Sequence, residues 1–188
     1  GSNGIETEGR TGNDVTLVSD HNIRINNAGD DLKVKAELTI EAGNLGRNAH
    51  VEAGHNIDVG DVGDNSQLSS GHNLNAATIG KQSSVATGHS LHATSVDENA
   101  HVEAGHNIDV GDVGENSQLS SGHSLNAATI GKQSSVATGH SLNATSVDEG
   151  CSISSGHNLD VGTAHASASL MAGHRTSVGS YVGQQPSS

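Results

Sequence analysis

Histidine is the residue whose spacing in this chain points most directly to chemistry. A Gly-His dipeptide recurs every 17 residues, eight times in succession, with no insertion or deletion in the series. Neutral imidazole is a common ligand of zinc, copper and nickel, so the series supplies candidate metal ligands. The candidates are His55, His72, His89, His106, His123, His140, His157 and His174.

A packing role is the alternative interpretation of the same histidines. Zinc sites bring three or four ligands together, whereas this spacing distributes the rings along a line. Rings roughly 5 Å apart would stack at a corner and bond to neighbouring repeats. Leu38 occupies the equivalent position in an earlier repeat, which favours partly buried packing over metal capture.

The histidines also predict a response to pH. The formal charge is −13 with neutral histidines and rises to zero when all 13 are protonated. Closely spaced histidines resist joint protonation, so mild acid does not reach that limit. We expect lower solubility or looser packing near pH 5. Unchanged light scattering and melting temperature between pH 7 and pH 5 would refute this.

The repeat extends through the whole 17-residue unit, which we number from its glycine as position one. Aliphatic residues occupy positions four, six, nine and fifteen, and the spacings four to six and thirteen to fifteen follow the alternation of a strand. No apolar run follows the period of a helix. The predicted core contains Ile57, Val59, Val62, Leu68, Leu74, Ile79, Val85, Leu91, Val96, Val102, Ile108 and Val113.

Each unit therefore predicts one coil of a single parallel β-helix, an all-β solenoid of about ten coils with 17 residues per coil. Gly or Asp at position ten and Asn or Gln at position twelve predict corners, because these residues either tolerate positive φ or bond their own backbone. At roughly 4.8 Å per coil, the rod would be about 45–50 Å long. The coil lacks the six-residue periodicity typical of left-handed helices, so we expect a right-handed one.

The pattern also predicts the division of the chain. Residues 1–19 are interpreted as a tag remnant (Gly1-Ser2) and a partial N-terminal coil, because residues 3–19 keep only the second half of the pattern. Residues 20–178 form the predicted solenoid, and residues 179–188 a tail or linker. The single proline, Pro186, lies in that tail, where it interrupts no strand pairing.

Composition limits the classes of partner. Eight Lys and Arg against 21 Asp and Glu make nucleic acid a poor partner. No apolar stretch is long enough to span a bilayer, so membrane insertion is not predicted, and no cofactor is predicted either. Cys151 is the single cysteine and permits no internal disulfide. Its small inward position predicts a buried substitute for alanine.

Residues 48–98 and 99–149 are near-copies of three coils each. They differ at three pairs of positions: Asp64 and Glu115, Asn73 and Ser124, and His92 and Asn143. A catalytic site normally needs one convergent constellation, whereas polar clusters here occur twice, so the chain is predicted not to be an enzyme. Acidic residues such as Asp58 and its copy Asp109 are interpreted as solvated decoration and not as calcium ligands.

The repeat resembles two known families over about residues 20–178. The unit Gly-x-Asn-(Ile/Leu)-x-(Val/Ala), present as AGHNIDV, SGHNLNA and SGHNLDV, resembles repeats of bacterial filamentous-haemagglutinin-type exoproteins. The whole coil, as in GHNLNAATIGKQSSVATG, also resembles bactofilins. The first resemblance implies a secreted β-helical rod that presents other modules. The second implies a cytoskeletal protein that polymerises end to end without nucleotide. Neither implies catalytic residues.

The function predicted first is a non-enzymatic scaffold, a segment of a bacterial secreted or surface rod used for spacing, presentation or adhesion. A self-assembling cytoplasmic filament is the alternative. A polysaccharide-active enzyme is a third hypothesis, which the lack of insertions able to build a groove argues against. The expected partners are a protein or glycan receptor and further copies of the chain in end-to-end association.

Overall fold

The computed structural model of the chain describes residues 4–183, and every regular element in that range is a β-strand. The strands are, in chain order, β1 (Ile5–Glu6), β2 (Arg10–Thr11), β3 (Thr16–Ser19), β4 (Ile23–Ile25), β5 (Asn27–Ala28), β6 (Lys33–Ala36), β7 (Ile40–Ala42), β8 (His50–Ala53), β9 (Ile57–Asp58), β10 (Asp61–Val62), β11 (Gln67–Ser70), β12 (Leu74–Ile79), β13 (Ser84–Thr87), β14 (Ser90–Val96), β15 (His101–Ala104), β16 (Asn107–Val113), β17 (Gln118–Ser121), β18 (Ser124–Ile130), β19 (Ser135–Thr138), β20 (Ser141–Val147), β21 (Ser152–Ser155), β22 (Asn158–His165), β23 (Ser169–Ala172) and β24 (Arg175–Val182).

These strands form two long parallel sheets and one short one. The first, which we call the long-strand sheet, runs from β1 through β4, β7, β9 and β12 and then the later even-numbered strands to β24, and β10 also pairs with β12. The second, the short-strand sheet, runs from β3 through β6, β8 and then the odd-numbered strands to β23, while β2 pairs with β5 alone. Leu74 lies opposite Leu91 and Leu91 opposite Ile108, an offset of one repeat each time. The predicted all-β solenoid, with 17 residues per coil and about ten coils, is confirmed.

The first coil departs from this offset. Ile5 pairs with Ile23, which makes that coil one residue longer than the others, whereas Leu17 pairs with Val34 at the regular offset. This extra residue explains why only the second half of the pattern is visible before residue 20. At the other end β24 pairs with β22 as far as Val182, beyond the predicted boundary at 178. Residues 1–3 and 184–188, which include the predicted tag remnant Gly1-Ser2 and Pro186, lie outside the described residues.

The core is a single column of aliphatic side chains between the sheets. All twelve predicted core residues are buried, with Ile57, Leu74, Val85 and Ile108 fully enclosed. Burying one aliphatic side chain contributes about 1.5–3 kcal/mol, and in a stacked fold most of that burial is against the neighbouring coils. The rod is therefore stabilised by contacts repeated from coil to coil.

The corner residues at positions ten and twelve are explained by different physical requirements. At position twelve every coil from Asp14 to Gln133 has positive φ, between 55° and 58°, at Asp14, Asp31, Asn48, Asn65, Gln82, Asn99, Asn116 and Gln133. Gly150 follows with a φ of 69°, and Ser167 in the next coil does not have positive φ. The residues at position ten tolerate positive φ but do not adopt it. Glycine at position ten reflects close packing, since a Cβ on Gly63 would lie 2.4 Å from the carbonyl carbon of Gly46.

Cys151 takes the place of an inward serine and not merely of an alanine. At the same position in the preceding coil, Ser134 Oγ donates to the Gly114 carbonyl at 3.0 Å. Cys151 Sγ lies at the same distance from the Gly131 carbonyl, and the side chain is buried. Cys151 therefore makes a hydrogen bond that the predicted equivalent, an alanine, could not make.

Burial raises the pKa of the Cys151 thiol, so the stability of the rod should depend on alkaline pH. The unfolded thiol ionises at its ordinary value of about 8.5. The contribution of the neutral Cys151 thiol to the free energy of unfolding is therefore complete below that pH. It is lost as the pH rises toward the higher pKa of the folded state, at up to about 1.4 kcal/mol per pH unit. We expect urea unfolding to show this extra loss in the native chain but not in Cys151→Ser, which keeps a donor and does not ionise. Parallel pH curves for the two proteins would contradict it.

Candidate functional site

The histidines of the Gly-His series form one continuous row of exposed rings, which we call the histidine row. Neighbouring ring centroids are 4.6–5.0 Å apart, and neighbouring ring planes are within 7° of parallel. The backbone holds this spacing, because His72 N–H donates to the His55 carbonyl at 2.8 Å and the same bond recurs as far as His174 and His157. The row therefore follows the axis of the rod over eight coils.

The glycine before each histidine allows this stacking. A Cβ on any glycine of the series from Gly54 to Gly173 would lie 2.1–2.2 Å from a carbonyl oxygen of the preceding coil. Real Cβ atoms do not approach an oxygen that closely, so the coils would have to separate locally to admit a side chain. From Gly54 to Gly173 the glycine thus allows the close approach of the coils, and none of these glycines has positive φ.

Serines next to three of the histidines orient their rings. Nδ1 lies 3.0 Å from Oγ in His89–Ser90, 2.9 Å in His123–Ser124 and 2.8 Å in His140–Ser141. The hydroxyl can donate to a neutral ring nitrogen or accept from a protonated one. In these three rings Nε2 is therefore the nitrogen left to bind a ligand.

The geometry of the row does not converge on a metal. Across residues 4–183, no three His, Cys, Asp or Glu side chains lie close enough together to hold one metal ion. Parallel rings also direct their nitrogen lone pairs side by side, whereas zinc needs ligands that meet at one point. Binding a metal between neighbouring histidines would require the rings to rotate out of the stack.

Whether the eight histidines bind a metal is tested by titrating zinc into the chain in a calorimeter. Because the ligands do not converge, we expect no saturable heat beyond dilution. A saturable heat that His106→Asn together with His123→Asn removes would instead establish a metal site within the row.

A second surface feature is a shallow groove on the long-strand sheet, which we call the axial groove. Its larger section encloses about 710 Å³ and its smaller section adjoins it at Thr94. The polar side of the groove consists of position-five residues: Glu41, Asp58, Asn75, His92, Asp109, Asn126, Asn143 and Asp160. Its floor consists of position-seven residues: Gly60, Ala77, Thr94, Gly111, Ala128, Thr145 and Gly162.

Hydrogen bonds between coils connect the polar side of the groove. Asn75 Nδ2 donates to Asp58 Oδ1 and Asn126 Nδ2 donates to Asp109 Oδ1, both at 2.6 Å. At one end, the Arg24 guanidinium donates to Glu41 at 2.8 Å. That bond and the charge of Glu41 raise the pKa of Arg24. The negative charge that no cation offsets is therefore carried by Asp58, Asp109 and Asp160.

The axial groove is not apparent from any single column of residues in the sequence. Asp58 and Asp109, for which the sequence predicts solvated decoration, are surface side chains that also line the groove. The available signal was the column of Gly, Ala and Thr at position seven, two residues from a column of Asn and Asp. Small side chains beside polar ones on an outward face leave a depression.

Comparison with known proteins identifies the family of the chain. The family model of the FapA (Flagellar Assembly Protein A) β-solenoid domain matches residues 22–156, well over half of the chain. Comparisons with curated proteins and with solved structures gave no match. No helix in the described part of the chain is long and apolar enough to cross a membrane. The resemblances to filamentous-haemagglutinin-type exoproteins and to bactofilins are not confirmed. The chain belongs to the Flagellar Assembly Protein A β-solenoid domain family.

Proposed function

We propose that the chain is a non-enzymatic scaffold, a rigid rod that spaces or presents the components of a bacterial assembly. The observation that carries this proposal is the duplicated block, because residues 48–98 and 99–149 are near-copies. Their shared positions pair at the same 17-residue offset, as in Leu74 with Leu91 and Leu125 with Leu142. Copying three coils lengthens such a rod without changing its cross-section. The family name supports flagellar assembly as the setting.

The distribution of polar groups supports a scaffold over an enzyme. The groove carboxylates Asp58, Asp109 and Asp160 recur every third coil and do not converge on one point. Catalysis by paired acid and base groups needs them together around one reacting bond. A surface that repeats along its axis is suited to holding an extended or repeated partner.

Negative-stain electron microscopy over a range of protein concentrations, with light scattering alongside, tests the scaffold proposal. Discrete rods about 45–50 Å long at every concentration support a spacer of set length. Long unbranched filaments would instead support the self-assembling filament that the resemblance to bactofilins implies. Globular or irregular particles would contradict both.

A finer version of the proposal is a secreted or surface rod with an adhesive role. The resemblance of AGHNIDV and its equivalents to exoprotein repeats supports it. Protease treatment of intact bacterial cells tests this location, because a surface rod is cleaved or released while cytoplasmic proteins stay intact. Complete protection until the cells are lysed would exclude a surface location and favour a cytoplasmic one.

A further inference from the structure

We propose that the axial groove binds an extended, basic polypeptide segment that lies parallel to the axis of the rod. The inference rests on the proposed scaffold function, because it names the kind of partner that the scaffold holds. The groove follows the long-strand sheet over eight coils, from Glu41 to Gly162. Its floor of Gly, Ala and Thr leaves space above the sheet for another chain.

The charge of this part of the rod is complementary to a cation. Residues 41–162 contain 14 Asp and Glu but only three Lys and Arg. Those three basic residues are Arg47, Lys81 and Lys132, which are corner residues and do not line the groove. Lys81 and Lys132 are also paired with Glu98 and Glu149. A basic segment would therefore meet carboxylates along the groove and no competing cation.

The spacing of the groove carboxylates favours an extended polypeptide. Asp58, Asp109 and Asp160 occupy the same position three coils apart, which corresponds to about 14 Å. Four residues of an extended chain span about 13 Å. Residues four apart in a strand also point to the same side. A segment with Lys or Arg at every fourth position would therefore place successive cations over successive carboxylates.

Contacts between the coils keep the carboxylates in place for such a partner. Asn75 and Asn126 each donate one amide hydrogen to an aspartate oxygen. Each carboxylate has two oxygens and can accept further hydrogen bonds. Asp58 and Asp109 can therefore remain in the amide ladder while they bind a lysine or arginine.

The test uses two labelled peptides of about twelve residues, long enough to span roughly 40 Å when extended. One carries three lysines spaced four residues apart, and the other carries the same residues with the three lysines adjacent. Fluorescence anisotropy at low and physiological ionic strength measures binding to the chain. We expect the spaced peptide to bind several-fold more tightly. Equal affinities, or no binding of either peptide, would overturn the inference.

Two charge-matched variants locate the binding surface. Asp58→Asn, Asp109→Asn and Asp160→Asn together remove the groove carboxylates but keep side-chain acceptors for the amide ladder. We expect this variant to bind the spaced peptide about tenfold more weakly. The control, Asp97→Asn, Glu103→Gln and Asp148→Asn, removes the same charge elsewhere and is expected to bind within about twofold of the native chain. Equal losses in both variants would mean nonspecific attraction to an acidic protein and would overturn the inference.

Two further measurements separate this inference from the scaffold proposal and from a different occupant. Small-angle X-ray scattering of each variant reports the length of the rod. A native-length rod that does not prefer the spaced peptide overturns the groove inference and leaves the scaffold intact. A neutral β-linked oligosaccharide that displaces the peptide would identify the groove as a glycan site and would also overturn it.

Discussion

Deleting residues 99–149 is expected to give a folded rod that is about 14 Å shorter than the native one. The deletion removes three whole coils and joins Glu98 to Gly150, so the new junction reads VDEG as the native junction at Glu149 does. Every remaining residue keeps its position in the coil. Since coils interact only with their neighbours, the flanking coils should stack directly on each other.

Circular dichroism, small-angle scattering and urea unfolding measure this result. The strand signal per residue should be unchanged. The urea m-value should fall by roughly a quarter, since m follows the surface exposed on unfolding. A chain that loses its strand signal would show that the repeats are not interchangeable and would contradict the proposal that length is set by copying.

A deletion out of step with the repeat is the control. Removing residues 99–154 takes five more residues and leaves one coil too short to close. A larger mismatch than one residue is needed, because the coil between Ile5 and Ile23 already accommodates one extra residue. We expect this variant to expose part of the apolar face and to unfold at a clearly lower urea concentration than the in-step deletion.

Substitution of alanine for Gly105 is expected to destabilise the rod by about 3 kcal/mol. A Cβ there would lie 2.2 Å from the carbonyl oxygen of Gly88, and an atom of the backbone cannot move aside as a flexible side chain can. The neighbouring coils would have to separate, which weakens the bonds on both sides of the substitution. The melting temperature should fall by about 6–12 °C.

Gly111→Ala is a matched comparison for this substitution. A Cβ on Gly111 would lie 2.3 Å from the Thr94 carbonyl oxygen, almost the same distance as at Gly105. However, Gly111 lies between Thr94 and Ala128 in the adjacent coils, which already carry side chains at this position, whereas Gly105 lies between Gly88 and Gly122. We expect a loss below about 1 kcal/mol. Equal losses for Gly105→Ala and Gly111→Ala would show that both glycines are required only for the space at their Cβ.

The fold could be predicted from the sequence because of the repeat. Residues at equivalent positions are stacked, so inward positions such as Leu74, Leu91 and Ile108 could be identified together, and all of them are buried. Positive φ at position twelve also followed from the residue types, because Asn adopts that region more readily than most residues. A fixed period thus predicts which distant residues contact each other, information that a single sequence usually does not provide.

Features that depend on neighbouring columns or on exact chain length could not be predicted in this way. The extra residue before Ile23 shifts the pattern by one, so a fixed period hides the strand at Ile5. The hydrogen bond of Cys151 depends on a carbonyl in the preceding coil, which no residue type reveals. The axial groove results from the difference in side-chain size between positions five and seven, which neither column shows alone.

The core contains no Phe or Trp, and the only Tyr of the chain is Tyr181 in β24. That side chain is 52% exposed and lies on the last described coil, opposite Ala164. In a stacked fold each coil contacts only its neighbours, so one coil can open without the whole rod unfolding. Intrinsic fluorescence would thus report the opening of a single coil. Circular dichroism follows the whole rod, so a difference between the two melting curves would show that this coil opens separately, and the chain carries its own probe of one coil.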